Sequence, residues 1–495
     1  MTTIALFLPL AGALAVVSMP ADRHRLIRGT AIAVSAAVVA LVGAMWAGFS
    51  PGGGVQFNQE AEWIPALGVG YRVGVDGLSL PLIAMTAVLF LAAMIFPAPS
   101  QDRVKEYFAL FLVLETTSLG VFAALDLILF FVFWDLSIVA MYFVIAFYGH
   151  ADRERSALKF FLYTFLGSLA LLLGIIGLYL GSDPRTFDML ALAEQSPLAG
   201  QARAGGFVLL ALSVGFAIKT PLVPVHTWLP PAHVDAPAAG SAILAGVMLK
   251  MGTYGFVRIA MSILPEHWRR YAMVAVVVGV VSALYGALVA LAQPSFKRLV
   301  AYTSVNHMGY VLLGLGAVGV ASGAATDTQV LAVSGAVTQM VAHGLVTGLL
   351  FLLTGVLWAR AGTYDFDRFG GLAAPAPAFA AVTGLAAFAS LGLPGLVQFI
   401  GEFQIFVGSL AAVPVAAALA LLGVLLTAAL FLWTLQRLFL GPVSDEWATM
   451  PDLRPAEWAA VLPLAVLVVL LGVLPRGLLD VIEPAARNVV TLLGS

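Results

Sequence analysis

The chain has 495 residues, of which 61% are hydrophobic and 10% charged, with mean hydropathy +1.01 and a formal net charge of -2. Repeated apolar runs of about 20 residues mark an integral α-helical membrane protein and exclude a soluble domain. The charge balance offers no basic patch to nucleic acid. With no cysteine, the chain holds no cysteine-ligated iron–sulfur cluster, zinc–thiolate site or disulfide.

In chain order, the first apolar run begins at Thr3 with no basic segment before it and no small-residue cleavage site. It reads as a retained helix, not a signal peptide. The expected spans are 3–19, 29–49, 78–97, 107–125, 127–148, 159–181, 205–229, 239–260, 272–292, 299–319, 330–357, 378–405, 413–436 and 457–475, fourteen in all. With the N-terminus outside, the inner loops carry Arg23, Arg25, Arg28, Arg103, Lys105, Arg153, Arg155, Lys159, Lys297, Arg298, Arg360, Arg368, Arg437 and Arg454. The outer side carries Arg72, Arg185, Arg203, Arg258, Arg269, Arg270, Arg476 and Arg487. This excess places both termini on the outer face. The sizeable extramembrane pieces are an outer loop from Ser50 to Asp76 and an inner one from Arg360 to Pro377.

Span 7 is the unusual one. It carries Lys219 followed by Pro221 and Pro224, which lack the N–H groups needed by the carbonyls of Ala217 and Thr220, so the helix is expected to break. Freed backbone groups at membrane depth are tolerated only against protein or a watered cavity. A lysine at mid-membrane costs roughly 2.5–3.5 kcal/mol on insertion scales. A lysine beside a broken helix is the pattern of an ion-handling site in a transporter, the alternative being a kinked structural helix with a snorkelling lysine. Span 12 has a second break, Gly392-Leu-Pro394-Gly395, followed by Gly401-Glu402-Phe403.

These breaks fall fourth in two successive units of five spans. Residues 1–106 hold three N-terminal helices, 107–260 hold spans 4–8, 272–436 hold spans 9–13, and 437–495 hold the last span and a tail. Two odd-numbered units in tandem must cross with opposite topology, as inverted repeats. The expected fold is thus an all-α integral membrane protein of about fourteen helices with broken helices in spans 7 and 12.

Depth can be compared by counting from the turns. Glu115 lies 11 residues before the turn at Asp126 and Asp135 lies 9 after it; Lys219 and Lys250 lie 15 and 16 residues from Val234; His307 and His343 lie 19 and 17 from Thr326. At about 1.5 Å per residue these positions match in depth and suggest a mid-membrane row running carboxylate, lysine, lysine, histidines, carboxylate. Such a row suits proton relay, because each group can hold a proton and bias its neighbour. The bland alternatives are satisfied interior histidines, with Gln339 one turn from His343, and a Glu115 bonded to Thr116 or Ser118. His226 and His233 read as structural or gating groups. Asp126, Asp152 and Glu154 read as loop charges.

The run Phe216-Ala-Ile-Lys-Thr-Pro-Leu-Val-Pro-Val-His-Thr-Trp-Leu-Pro-Pro-Ala-His233, with Ala236 to Gly255, Val73-Gly-Val-Asp-Gly-Leu-Ser-Leu80 and Ser304-Val-Asn-His-Met-Gly-Tyr310, resembles the antiporter-like subunits of respiratory complex I across essentially the whole chain. Within them it is most similar to the chain M (subunit 4) family, because Gly401-Glu402-Phe403 has glutamate where chains L and N and the multisubunit antiporters usually have lysine. The chain also ends without the long lateral helix of chain L. The resemblance implies that Lys219 is the pumping lysine, Lys250 the connecting lysine, His307 and His343 the bridging relay and Glu402 the terminal proton site. Asp135 stands where the family normally has glutamate and would pair with Lys219 in one state of the cycle; Asp235 likewise replaces a frequent glutamate. Glu115 is the alternative should Asp135 face away. The resemblance further implies a complex that uses NADH, FMN, iron–sulfur clusters and quinone, none with a site in this chain. Its partners would be chain L-like and chain N-like subunits, the peripheral arm and the bilayer of a bacterial inner membrane. The rivals are a multisubunit cation/proton antiporter and the membrane subunit of a hydrogenase or formate-linked complex.

Overall fold

In a bilayer the backbone finds no water, so the apolar runs must close their hydrogen bonds internally, as helices. The computed structural model describes residues 1–98, 102–321 and 327–494. Its elements are α1 (Thr2–Ser18), α2 (His24–Ala47), a hairpin of β1 (Gln56–Ile64) and β2 (Val69–Val75), α3 (Ser79–Ile95), α4 (Val104–Ala123), α5 (Leu127–Tyr148), α6 (Arg153–Gly181), α7 (Met189–Gln195), α8 (Ala202–Lys219), α9 (Leu229–Asp235), α10 (Ala238–Ile243) and α11 (Leu249–Gly255). The second half follows with α12 (Pro265–Leu291), α13 (Phe296–Val320), α14 (Asp327–Ala361), α15 (Pro377–Ser390), α16 (Val397–Leu410), α17 (Pro414–Phe439), α18 (Pro455–Val473) and α19 (Arg476–Gly494). Among the described residues, 10 helices are long and apolar enough to cross a membrane, and α1, α3, α15 and α16 are shorter apolar helices. The protein is a multi-pass helical membrane protein. The expected turn at Thr326 lies outside the described residues.

Both expected breaks are present. α8 stops at Lys219, and the turns over 220–228 lead into α9; α15 stops at Ser390, and α16 resumes at Val397. Two carbonyls beside the first break, those of Ala217 and Ile218, are satisfied within the protein. Leu222 N–H donates to Ala217 O at 2.9 Å, and the Trp228 indole donates to Ile218 O at 2.9 Å. The stretch from α10 to Met261 contains two π-helical turns, Leu244–Met248 and Phe256–Met261, which loosen the helix near Lys250.

Several details depart from expectation. The segment from Ser50 to Asp76, expected as a loop, holds the antiparallel hairpin, in which Gln59 pairs with Val73 and Glu62 with Gly70. The tail after α18 folds as α19, which lies against α14 and buries Val481, Ile482, Val489 and Val490. Asp126 is not a bare loop charge: it is fully buried, caps α5 by accepting from Ile128 N–H and Leu129 N–H, and holds Arg72 at 2.9 Å. Arg258 is paired with Asp76 at 2.5 Å, and Arg360 makes a bidentate pair with Glu457 at 2.6 and 2.7 Å. Lys297 is fully buried as well. A buried charge persists only when paired or hydrogen-bonded, so these residues are structural partners and weigh little in a loop-charge count.

Candidate functional site

The longest buried polar chain starts at Lys250. Lys250 Nζ donates to the Ala245 carbonyl of the π turn at 2.5 Å while lying 2.6 Å from His343 Nδ1. That closeness depends on two glycines. A Cβ on Gly344 would fall 2.8 Å from Gly246 O, and one on Gly246 would fall 3.2 Å from Gly344 O. No side chain intervenes, so α14 approaches the π turn closely enough for the lysine to reach the histidine.

His343 and His307 face each other with ring centroids 5.2 Å apart. Beyond His307 the second break supplies the next contacts. Gln398 Nε2 lies 2.9 Å from His307 Nε2, 2.9 Å from the freed Ser390 carbonyl and 3.0 Å from Glu402 Oε1. His307 Nε2 itself is 3.7 Å from Glu402 Oε1, and Gln339 donates to the same oxygen at 3.4 Å. Lys250, His343, His307, Gln398 and Glu402 thus form one contact series across the α10–α11, α14, α13 and α16 helices. All are buried.

The other carboxylate oxygen of Glu402 sits over Gly392, which has φ +80°. A Cβ there would stand 2.6 Å from Glu402 Oε2. Gly392→Ala is therefore expected to strain the break by about 1–2 kcal/mol and to push the carboxylate off the series. Thermal unfolding should show a modest loss of stability, and proton translocation should fall much further than stability does.

Lys219 belongs to a second cluster. Its Nζ donates to Ser137 Oγ at 3.1 Å and lies 4.8 Å from the centre of the Trp134 ring. The Trp134 indole donates to Ser168 Oγ at 3.0 Å. No ion pair within 4.0 Å joins Asp135 and Lys219; the lysine contacts Ser137 and Trp134 instead. Asp135 is half-buried beside the exposed Leu136 and Val139, and one of its oxygens has no partner.

The expected single row is therefore divided. No hydrogen bond or ion pair connects Lys219 with Lys250, although α8 and α11 touch where Gly252 packs on Thr220. Glu115 also stands apart: it is fully buried, accepts from Ser35 Oγ on α2 at 2.6 Å, and bonds none of the other six groups. The bland expectation that it bonds Thr116 or Ser118 fails, since both hydroxyls lack partners.

Sequence reasoning missed a polar approach from the face opposite the hairpin. A cavity of about 1110 Å³ opens there, lined by His150, Tyr364, Arg103, Arg454 and Glu457 among others. His150 Nε2 lies 3.1 Å from Tyr364 OH, and Lys297 Nζ donates to Tyr364 OH at 3.2 Å and to Ala236 O at 2.6 Å. Burial, helped by the Lys297 charge, lowers the His150 pKa to about 4, so this loop histidine is neutral at neutral pH. Next to this group His233 stacks on Phe351 at 4.5 Å with neither ring nitrogen partnered, and it senses the charges of both Lys297 and Lys250. Gln398 was legible, one helical turn before Glu402; Lys297 was not, because Tyr364 and Ala236 are far from it in sequence.

Two broken helices, each beside a buried ionisable group, with a lysine–histidine–carboxylate series between them, define an antiporter-like membrane subunit. The family model for the transmembrane region of NADH:quinone oxidoreductases and Mrp antiporters matches residues 124–427. The NADH-quinone oxidoreductase subunit M of Rhodobacter capsulatus is 38% identical over 508 residues, covering 99% of this chain and 96% of that protein. The F(420)H(2) dehydrogenase subunit M of Methanosarcina mazei is 36% identical, covering 88% of each. A chain of respiratory complex I from Thermus thermophilus matches the whole structure with TM-score 0.89 and 34% identity, both chains being covered to 100%. The chain belongs to the NADH:quinone oxidoreductase/Mrp antiporter family, in its subunit M group.

Proposed function

We propose that this chain translocates protons as the membrane subunit M of a complex I-type quinone oxidoreductase. The observation that carries this reading is the buried contact series from Lys250 through His343, His307 and Gln398 to Glu402. Protons enter from the cavity face by way of His150, Tyr364, Lys297 and His233, and Lys250 passes them along the histidines to Glu402. Lys219 and Asp135 act as the charge switch that drives this transfer. Glu115, with one free oxygen and a Ser35 partner, is a further proton-holding group on α4.

The shorter helices complete fourteen crossings, spans 4–8 and 9–13 form inverted repeats, and the chain sits in a bacterial inner membrane with both termini outside. Its neighbours are chain L-like and chain N-like subunits and the peripheral arm, which carries NADH, FMN, iron–sulfur clusters and the path to quinone. One observation favours a variant of this reading: the similarity to an F(420)H(2) dehydrogenase subunit is compatible with a different electron donor and leaves the proton path unchanged. Purifying the complex through a tag on this chain tests the assignment. Quinone reductase activity with vesicle acidification supports it, whereas cation-driven proton exchange without redox partners points to a free-standing antiporter.

An opposite charge close to an amine holds a proton on it, and withdrawing that charge lets the proton go. Asp135 makes no ion pair with Lys219 in this structure, so closing the gap would switch the lysine. Asp135→Asn should lower proton translocation by about tenfold or more, comparable with loss of other positioned acid–base groups. Asp135→Glu should retain much of it, since one methylene shortens the distance. Equal pumping by the Asn variant and the wild type would remove Asp135 from the switch.

A further inference from the structure

Outside the polar series, a groove between α8 and α12 has no assignment. It has a volume of about 500 Å³, and its walls are almost wholly apolar, formed by Phe207, Leu210 and Ala217 on one side and Trp268, Val274 and Val278 on the other. Phe207, Leu210 and Val274 are 72%, 58% and 60% exposed, so none of the described residues covers it. At the hairpin-face end the chemistry changes. Arg203, in the first turn of α8, and Arg270, near the start of α12, both line the mouth. Both are exposed, and neither forms an ion pair with any described residue. Glu266, the carboxylate on the same turn of α12, is engaged by the Gly200 N–H at 2.7 Å. The Tyr271 hydroxyl reaches over Gly206 just below the arginines: a Cβ on that glycine would lie 3.0 Å from it.

Length decides what kind of occupant fits. The groove follows α12 from Trp268 to Val278, about 15 Å at helical rise. That is one leaflet, half of a hydrocarbon core about 30 Å thick. A transmembrane helix of a neighbouring subunit would need a seam of twice this length and would leave two guanidinium groups without a counter-charge. An acyl chain under an anionic headgroup satisfies both conditions.

We propose that this groove is a binding site for an anionic glycerophospholipid, with its phosphate on Arg203 and Arg270 and one acyl chain lying between α8 and α12. The chain end would rest against Ala217 and Leu222, the residues that close the carbonyl left open by the first break, two positions from Lys219 on one side and three on the other. Occupancy then steadies the broken helix beside the lysine, and pumping depends on anionic lipid. The lipid site itself does not rest on the proton-translocation reading; only its effect on rate does.

The test uses the assembled complex with a benzophenone amino acid at Val274, irradiated in native membranes. A phospholipid adduct on this chain, reduced in an Arg203→Gln/Arg270→Gln double variant, is the expected result. A crosslink to another subunit at that position, or a lipid adduct unchanged in the double variant, would overturn the proposal. Ala275→Trp, which fills the groove without touching the arginines, should also remove the adduct. In vesicles, phosphatidylglycerol added to phosphatidylcholine should raise the wild-type rate and leave the double variant unresponsive. A response equal in both would sever the link between the site and the broken helix.

Discussion

Replacing Lys219 by alanine is expected to leave an assembled complex in which proton translocation falls by about a hundredfold, the scale on which positioned proton-transfer groups act. Assembly should survive because the wild-type lysine is a burden on the fold: it is 2% exposed, with one serine hydroxyl and the Trp134 face as its partners. Removing an ammonium from lipid depth relieves a cost of roughly 2.5–3.5 kcal/mol, which offsets much of the small cavity left behind. The break in α8 stays, since Pro221 and Pro224 still withhold their N–H groups and the Trp228 indole still closes Ile218 O. Quinone reduction that is tightly coupled to pumping should slow along with it. Translocation measured by a pH-sensitive dye in reconstituted vesicles checks this, with subunit composition confirming assembly.

Glu402→Gln should have the second largest effect. Glutamine keeps the volume and can still bond Gln398 and Gln339, but it cannot take up or release a proton. The series Lys250–His343–His307 would then end on a neutral amide, and a proton arriving at His307 would have no acceptor beyond it. Pumping should fall by about tenfold or more while stability changes by less than about 1 kcal/mol. Glu402→Asp should be milder, since the shorter side chain keeps an ionisable group near Gln398. Equal proton translocation by the Gln variant and the wild type would route the exit elsewhere; Gln404 and Ser334 are buried with unpartnered oxygens.

Much of this site was readable from the chain because proline and charge are conspicuous in an apolar background. Pro221 and Pro224 located the first break, Pro394 with its flanking glycines located the second, and the seven ionisable groups within the spans stood out by cost alone. Counting residues from turns compares depth along the helices, but depth says nothing of lateral position. Lys219 and Lys250 can share a level and still belong to separate clusters, as they do. Glu115 shows the same limit, since its neighbour Ser35 lies 80 residues away on α2.

The hairpin escaped notice because its residues alternate weakly and β1 is largely exposed. Lys297 was hidden by its adjacency to Arg298 at a helix start, where a cation ordinarily faces water. Only the fold brings Tyr364 and Ala236 to it. Asp126 and Arg360 were misplaced for the same reason, their partners Arg72 and Glu457 being distant in sequence. The motif resemblance supplied the rest, namely the roles proposed for the polar groups.

The central claim is that protons cross this subunit along the buried series that begins at Lys250. The most direct measurement is the number of protons translocated per quinone reduced, in vesicles containing the complex with Lys250→Met in this chain. Methionine fills the lysine volume without its charge, so His343 keeps its place but loses its donor. A ratio below the wild-type value, with the complex assembled and still reducing quinone, is the predicted result. A ratio equal to wild type would show that the protons take a path that does not include this series.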